Sequence, residues 1–312
     1  MPDKIGNKIA ERTGNNNLID QLVALSGADC NSLLLEVFAR RAKQHTAPEL
    51  LKQYEQNRFV QPAETDLIHL LEQSLATLTC LRGHGFVPLQ VSPLSQLGAC
   101  SVVATVSQDK IVSALRNCEV LSDATNALAL HISSLKKQQK GASSTEHLKY
   151  CTVQRHVRAQ EIKVKGFSPH FTIGCLVSSG IDTGNFAFEK QVLGDHVKAL
   201  GDVLTNVFNT GKVRFRLQQR EGYPTHFIPA MLQYLLESFP GLEVTVDEKP
   251  GSNNYYKGLQ FKADITVKHG TFEIADGGFV DWTQQLLNNK KERFFIAGFG
   301  LELLNKMEEG LM

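Results

Sequence analysis

The sequence predicts an α+β domain: a mainly antiparallel sheet of about six strands flanked by helices, preceded by a small helical appendage. Two long stretches carry apolar residues at helical spacing: residues 65–82, with Leu67, Leu71, Leu75, Leu78 and Leu81, and residues 191–209, with Leu193, Val197, Leu200, Leu204 and Val207. The last third instead holds short apolar runs. Tyr256, Leu259, Phe261, Ala263 and Ile265 nearly alternate with other residues, and Phe272 with Ile274, then Phe294, Phe295 and Ile296, mark two more strands. At 312 residues and 42% hydrophobic content, the chain is long enough for one large core and an appendage.

Taken in order, residues 1–62 form the appendage and residues 63–312 the main domain. Residues 2–17 read as a polar tail. Two helices follow, one over 18–25 and one from about Ser32, where Leu33, Leu34, Val37, Phe38 and Ala42 share a face. Nothing in this part carries chemistry. The helix over 65–82 stops at Gly83, and Gly85-Phe86-Val87-Pro88-Leu89 begins a short strand that runs on to Pro93. Proline has no N–H for a strand ladder, which places it at strand ends and edges. Leu121-Ser122-Asp123-Ala124-Thr125-Asn126 precedes an apolar stretch, and Asp123 or Thr125 either caps the next helix or offers polar groups to a ligand. Residues 135–146, with Lys136, Lys137 and Lys140 and then Gly141, Ala142, Ser143 and Ser144, read as a solvated loop. Their lysines lack the interleaved aromatics of a nucleic-acid surface. Strands over 213–217 and 242–246 flank a helix over 224–239.

Composition excludes several classes. A net charge of +1 gives no global field toward nucleic acid or an anionic membrane. The six cysteines (Cys30, Cys80, Cys100, Cys118, Cys151, Cys175) form no C-x-x-C pair and have no metal-ligand spacing with histidine, so they read as buried thiols of a reducing cytoplasm and no metal site is expected. No apolar run reaches membrane-spanning length and the N-terminus lacks a signal-like core. A cytoplasmic location without membrane contact is expected.

Three glycine-containing signatures follow one another in the last third: Asn254-Tyr255-Tyr256-Lys257-Gly258, then Asp276-Gly277-Gly278-Phe279-Val280-Asp281, then Gly298-Phe299-Gly300-Leu301-Glu302-Leu303-Leu304. Glycine lets a backbone turn sharply or lie against a ligand, although Gly277-Gly278 taken alone reads as a plain hairpin between strands. With Tyr255 and Tyr256 read as strand residues, their side chains point to opposite faces, one lining a cavity while the other packs; the alternative makes both core residues.

The order of these signatures resembles the catalytic core of class II aminoacyl-tRNA synthetases, closest to the histidyl type, over about residues 65–308. In that family a long helix, a Gly-Phe turn, a short strand and a proline build a twofold dimer interface, which the resemblance places at the 65–82 helix and Pro93. Asp123 and Thr125 match the acid and threonine that hold the substrate α-amino group. A second motif pairs an arginine on the α-phosphate with a glutamate on the adenine amino group and a phenylalanine stacked on the purine. Glu161 and Phe171 match in separation, and His170 suits the loop's end. Arg158 falls one residue from the arginine position, which Ala159 occupies, and a one-residue slip on a strand reverses the face unless a bulge intervenes. Two further arginines are replaced: Gly251-Ser252-Asn253-Asn254 stands where the family has Arg-Gly-Leu-Asp, and Leu303 follows Glu302 where an arginine meets the nucleotide. Lys163, Lys165 and Lys262 are the candidates to substitute. The sequence ends eight residues after Leu304, where a histidyl synthetase continues into an anticodon-binding domain, so tRNA is not an expected partner.

These departures divide the functional expectation. Single electrostatic groups are typically worth about 2.7–4 kcal/mol of transition-state stabilisation, so losing two or three cations argues against efficient activation. The first reading is a synthetase-like paralogue, comparable to the regulatory subunit of ATP phosphoribosyltransferase. It would form a homodimer and bind a partner protein or a small amino-acid- or nucleotide-like ligand through Asp123, Thr125, Glu161, Tyr255, Tyr256 and Asp281, with Gly277 and Gly278 close by. The alternative is a ligase that forms an adenylate of an amino acid or related acid, using ATP with Mg. No other cofactor is implied.

Overall fold

The computed structural model describes residues 2–138, 147–161, 167–247, 251, 253–267 and 270–308. Four helices come first: α1 (Pro2–Thr13), α2 (Leu18–Val23), α3 (Gly27–Ala42) and α4 (Ala47–Gln56). The main domain follows as α5 (Leu67–Gly83), β1 (Val87–Pro88), β2 (Leu94–Gln96), β3 (Ser113–Ala114), β4 (Cys118–Val120), α6 (Ala124–Gln138), β5 (Leu148–Val157), β6 (His170–Ile181), α7 (Ala187–Asp202), β7 (Val213–Gln219), α8 (Phe227–Ser238), β8 (Glu243–Val246), β9 (Lys257–Val267), β10 (Gly270–Val280), α9 (Trp282–Leu287), β11 (Glu292–Phe299) and α10 (Leu301–Glu308).

Eight strands form one sheet in the order β1-β5-β6-β11-β10-β9-β7-β8. Its six inner strands are antiparallel, and the two short outer strands, β1 on β5 and β8 on β7, run parallel to their neighbours. The three short strands β2, β4 and β3 make a separate small sheet.

Period-two alternation gives the large sheet two apolar faces. On β11, Phe295, Ala297 and Phe299 join a core with Leu81, Leu200 and Met231 of α5, α7 and α8. Phe294 and Ile296 point the other way, into a core with Leu128 and Ile132 of α6 and Trp282 of α9. α5 starts where the Asp66 carboxylate accepts from the Ile68 and His69 N–H groups at 2.9 and 3.1 Å. Leu70 and Leu81 of this helix are buried, whereas Leu67, Leu71 and Leu75 are 62%, 56% and 69% exposed. The helix is therefore apolar on two sides, and only one is covered within the chain.

Several sequence expectations change. Residues 2–13 are helical rather than a polar tail, and α4, started by the Thr46–Glu49 capping box, was not anticipated. Gly277 and Gly278 are interior residues of β10 rather than a turn. A Cβ on Gly277 would lie 2.5 Å from the Ile296 carbonyl oxygen, and one on Gly278 2.4 Å from that of Leu259. Both glycines exist because neighbouring strands and rings occupy the space of a side chain. Lys136 and Lys137 end α6 instead of opening a loop, and Lys136 pairs with Glu292 at 2.5 Å. Lys140 and Gly141 through Ser144 lie outside the described residues, as do Lys163, Lys165 and Ser252.

The appendage lies on the surface, with no buried residue in α2, α3 or α4. Hydrogen bonds tie it to the domain. Asn31 bonds Asn117 and the Arg116 N–H, and Arg58 donates to the carbonyls of Ala159 and Gln160 at 3.1 and 3.0 Å. No helix among the described residues is long and apolar enough to cross a membrane.

Candidate functional site

A cavity of about 550 Å³ opens on the α6 side of the sheet, within the range of small-molecule sites. Its walls come from segments far apart in sequence: Cys100 to Ile111, Ser122 to Asn126, the end of β5 with His156, Arg158 and Gln160, Asn253 to Tyr256, and strands β10 and β11.

Asp123 precedes α6 and is bound on both oxygens. Oδ1 accepts from the Thr125 N–H and hydroxyl at 2.9 and 2.7 Å, and Oδ2 accepts from the Tyr255 hydroxyl at 3.0 Å. Capping and cavity-lining, posed as alternatives in the sequence, coexist in this one side chain. The Ala124 N–H, a free donor at the start of α6, donates to His156 Nε2 at 2.9 Å. That bond makes Nε2 an acceptor and places the proton of a neutral ring on Nδ1. Burial lowers the His156 pKa to about 4, against the pull of the Asp123 charge, so the ring is neutral near pH 7.

Tyr255 and Tyr256 lie in the bend before β9, not on the strand, and both line the cavity. Off the strand, alternation no longer sends them to opposite faces, and their rings meet edge to face at 4.9 Å. The Tyr256 hydroxyl donates to Asp276 at 3.0 Å, and Gln260 Nε2 donates to the same oxygen at 3.3 Å. Burial raises the Asp276 pKa, and the Asp123 charge adds to the effect. Burial likewise holds both tyrosine hydroxyls far above their usual range, so they act as donors. Gly277 and Gly278 do not line the cavity. The bare Cα of Gly278 makes room for Tyr256, whose ring would lie 2.7 Å from an added Cβ. Asp281 lies apart from the cavity wall, 3.8 Å from Lys257.

The positive groups on the wall are few. Arg158 follows the last residue of β5, so the facing rule of the strand does not bind it. Its Nε donates to the Ser122 carbonyl at 3.3 Å and its guanidinium lies 5.3 Å from the centre of the Phe171 ring. Lys110 is the other lining cation among the described residues. Gln160, two residues after Arg158, lines the cavity, whereas Glu161 does not. Phe171 lies behind the wall, its ring 6.5 Å from that of His156.

His170 and Glu302 belong to a different arrangement. Glu302 is buried, accepts from the Thr172 N–H at 3.0 Å and from Arg155 at 3.2 Å, and faces Lys306 at 3.4 Å. Arg155 also reaches His170 Nδ1, while His170 Nε2 meets the Gln61 carbonyl at 2.7 Å. This network ties α10 and the end of the appendage to the β5–β6 hairpin, and it supplies no charge to the cavity. Leu303 packs against the core. Lys262 is engaged by Glu273 at 2.9 and 3.0 Å. Near the missing arginine of the 251–254 segment, buried Arg220 donates to the Gly251 carbonyl at 2.6 Å and to Gln218 and Gln260.

Pro93 is exposed, and its carbonyl accepts from the Leu121 N–H at 3.0 Å. Lys110, His156 and Gln160 also line the cavity, and no sequence motif marks them. Asp276 carried the available signal, an acid directly before Gly277-Gly278. Among the described residues no group of three metal-binding side chains occurs.

An eight-stranded, mainly antiparallel sheet with helices packed on it, its ligand-sized cavity walled by strand ends and Tyr-Tyr and Gly-x-Gly segments, is the class II synthetase-like fold. The protein is similar in structure to an ATP phosphoribosyltransferase regulatory subunit/histidyl-tRNA synthetase from Bacillus halodurans, with a TM-score of 0.57 and 11% identity over 76% of this chain and 77% of that one. It is also similar to the histidine–tRNA ligase subunit from Alicyclobacillus acidocaldarius (TM-score 0.56, 11% identity, 81% and 96% covered) and to the apo histidyl-tRNA synthetase of S. aureus (0.54, 12%, 78% and 66%). No family model matches the sequence, and no curated protein matches it significantly.

Proposed function

We propose that the chain is a synthetase-like paralogue that binds a small amino-acid-like ligand in this cavity and acts in a regulatory role through a partner protein, without efficient adenylate formation. The observation that carries this reading is the charge pattern of the wall. Asp123 is held toward the cavity by Thr125 and Tyr255 and has no cationic partner among the described residues, while Arg158 and Lys110 are the lining cations. Such a wall suits a zwitterion: an ammonium at Asp123 and an anionic group toward Arg158 and Lys110. A triphosphate needs more, because Leu303 faces the core and Lys262 and Arg155 are engaged by carboxylates. A regulatory subunit among the similar structures supports the role.

The exposed Leu67, Leu71 and Leu75 row supports assembly as a homodimer through α5. A cytoplasmic location accords with six free cysteines.

The second reading, an ATP-dependent ligase with Mg, is favoured by Arg158 and Gln160 lining the cavity two residues apart, the spacing of the arginine and glutamate in the resembled motif. Amino-acid-dependent exchange of pyrophosphate into ATP separates the two. Exchange near background for all twenty standard amino acids is expected, and robust exchange with any one of them would replace the regulatory reading with the ligase one.

A further inference from the structure

Three carboxylates of the described residues line the cavity, and two of them, Asp123 and Asp276, are each placed by a tyrosine. Tyr255 donates to Asp123 and Tyr256 to Asp276, both at 3.0 Å. Their remaining partners are neutral donors: Thr125 for Asp123 and Gln260 for Asp276. Among the described residues neither forms an ion pair, whereas Glu273, on the same wall, is matched by Lys262 and Arg216. A third acceptor lies alongside: Asn126 lines the cavity, is 1% exposed, and its Oδ1 lacks a hydrogen-bond partner among the described residues. Two partly desolvated carboxylates sharing a cavity repel each other, and leaving either without a counter-charge is costly. The fold nonetheless holds Asp276 in place, because Gly278 gives Tyr256 the room to reach it.

We infer that the ligand of this cavity carries two protonated amines, one received by Asp123 and the other by Asp276, which makes it a short diamino acid whose acidic group lies toward Arg158 and Lys110. The inference rests on the proposed amino-acid-like site and names the ligand class for it. Asp276 is then the residue that sets specificity, since a second ammonium satisfies its charge and a methyl group in the same place leaves that charge desolvated and unpaired.

Isothermal titration of the full chain with isosteric pairs tests this: L-lysine against L-2-aminoheptanoate, L-ornithine against L-norleucine, and L-2,4-diaminobutyrate against L-norvaline. At least one diamino acid should bind about tenfold or more tightly than its apolar partner, the scale of a charge-assisted bond. Asp276→Asn should remove that preference, because a neutral amide neither attracts the second ammonium nor leaves a charge unpaired against an apolar chain. The wild-type comparison decides the matter alone if the variant fails to fold. Equal or tighter binding of the apolar partners overturns the inference and leaves the monoamine site standing. Failure of every one of these amines to bind overturns both.

Discussion

Replacing Asp123 by asparagine separates the charge of this residue from its shape. The side-chain oxygen of asparagine can keep both bonds from Thr125, now at 2.9 and 2.7 Å, and its amide can donate to the Tyr255 hydroxyl, which at present donates to Asp123 at 3.0 Å. The start of α6 should survive, with folding stability changed by no more than about 1 kcal/mol. A ligand ammonium fares differently. A hydrogen bond to a charged partner is worth about 1.5–3 kcal/mol against about 0.5–1.5 for a neutral one, so roughly 1–2 kcal/mol of binding is lost. That corresponds to about 5- to 30-fold in Kd. Titration calorimetry with the amino acid that binds the wild-type protein most tightly reads the first quantity, and urea unfolding reads the second. A Kd unchanged within about twofold would remove Asp123 from the ligand site. A stability loss above about 3 kcal/mol would mean that the capping role outweighs any other.

Four other outcomes are expected. Gly278→Ala should lower stability by about 1–3 kcal/mol in urea unfolding, because its Cβ would meet the Leu259 carbonyl oxygen at 2.4 Å; an unchanged midpoint would contradict the packing. Light scattering at micromolar concentration should show a dimer that Leu71→Asp with Leu75→Asp converts to a monomer, and a monomeric wild type refutes the α5 interface. Glu302→Gln should destabilise the protein by roughly 1–3 kcal/mol, since Arg155 and Lys306 lose their shared carboxylate, and a melting temperature within error of wild type would deny Glu302 this anchoring role. His156 is neutral in the fold down to about pH 4 but titrates near 6.5 when unfolded, so the unfolded state binds more protons between these values and stability falls as pH drops through that window. His147 and His196, also lowered by burial, act in the same direction, and Asp276, raised by burial, acts oppositely. His156→Gln, which keeps an acceptor for Ala124, should therefore flatten the pH 4–6.5 slope only in part, and an unaltered slope would count against the buried neutral ring.

Where periodicity is strong, the fold was legible in the sequence. The α5 and α7 helices and strands β7 and β9 to β11 follow from apolar spacing because each buries one or both faces in a core. α1 and α4 escaped it because polar residues dominate both segments and little of the appendage is buried, and the Thr46–Glu49 capping box is the local signal for α4. The Leu67–Leu71–Leu75 spacing marked a helix correctly but not its inward side, since α5 has a second apolar row through Leu70 and Leu81. Gly277-Gly278 illustrates a different limit: glycine is required both where a chain turns and where strands and rings crowd it, and only the neighbours distinguish the cases.

The site was legible in its parts rather than its assembly. Asp123, Thr125, Tyr255, Tyr256 and Arg158 do line one cavity, although the tyrosines owe this to a bend rather than to strand alternation. Counting residues back from Phe171 selected Glu161, while the backbone beyond β5 presents Gln160, held there as Arg58 of the appendage grips the Ala159 and Gln160 carbonyls. A contact between residues about a hundred positions apart leaves no local trace in composition or spacing. The Glu302–Arg155 pair is hidden in the same way, and only the folded hairpin shows that the glutamate of the Gly-x-Gly segment is consumed by structure.

The most direct test of the central claim is a thermal-shift screen of the wild-type chain against the twenty standard amino acids and ATP with Mg. The account predicts that at least one amino acid stabilises the protein, by about 2.7 kcal/mol when present at a hundredfold its Kd, and that ATP alone does not. Stabilisation by ATP with no response to any amino acid would contradict it.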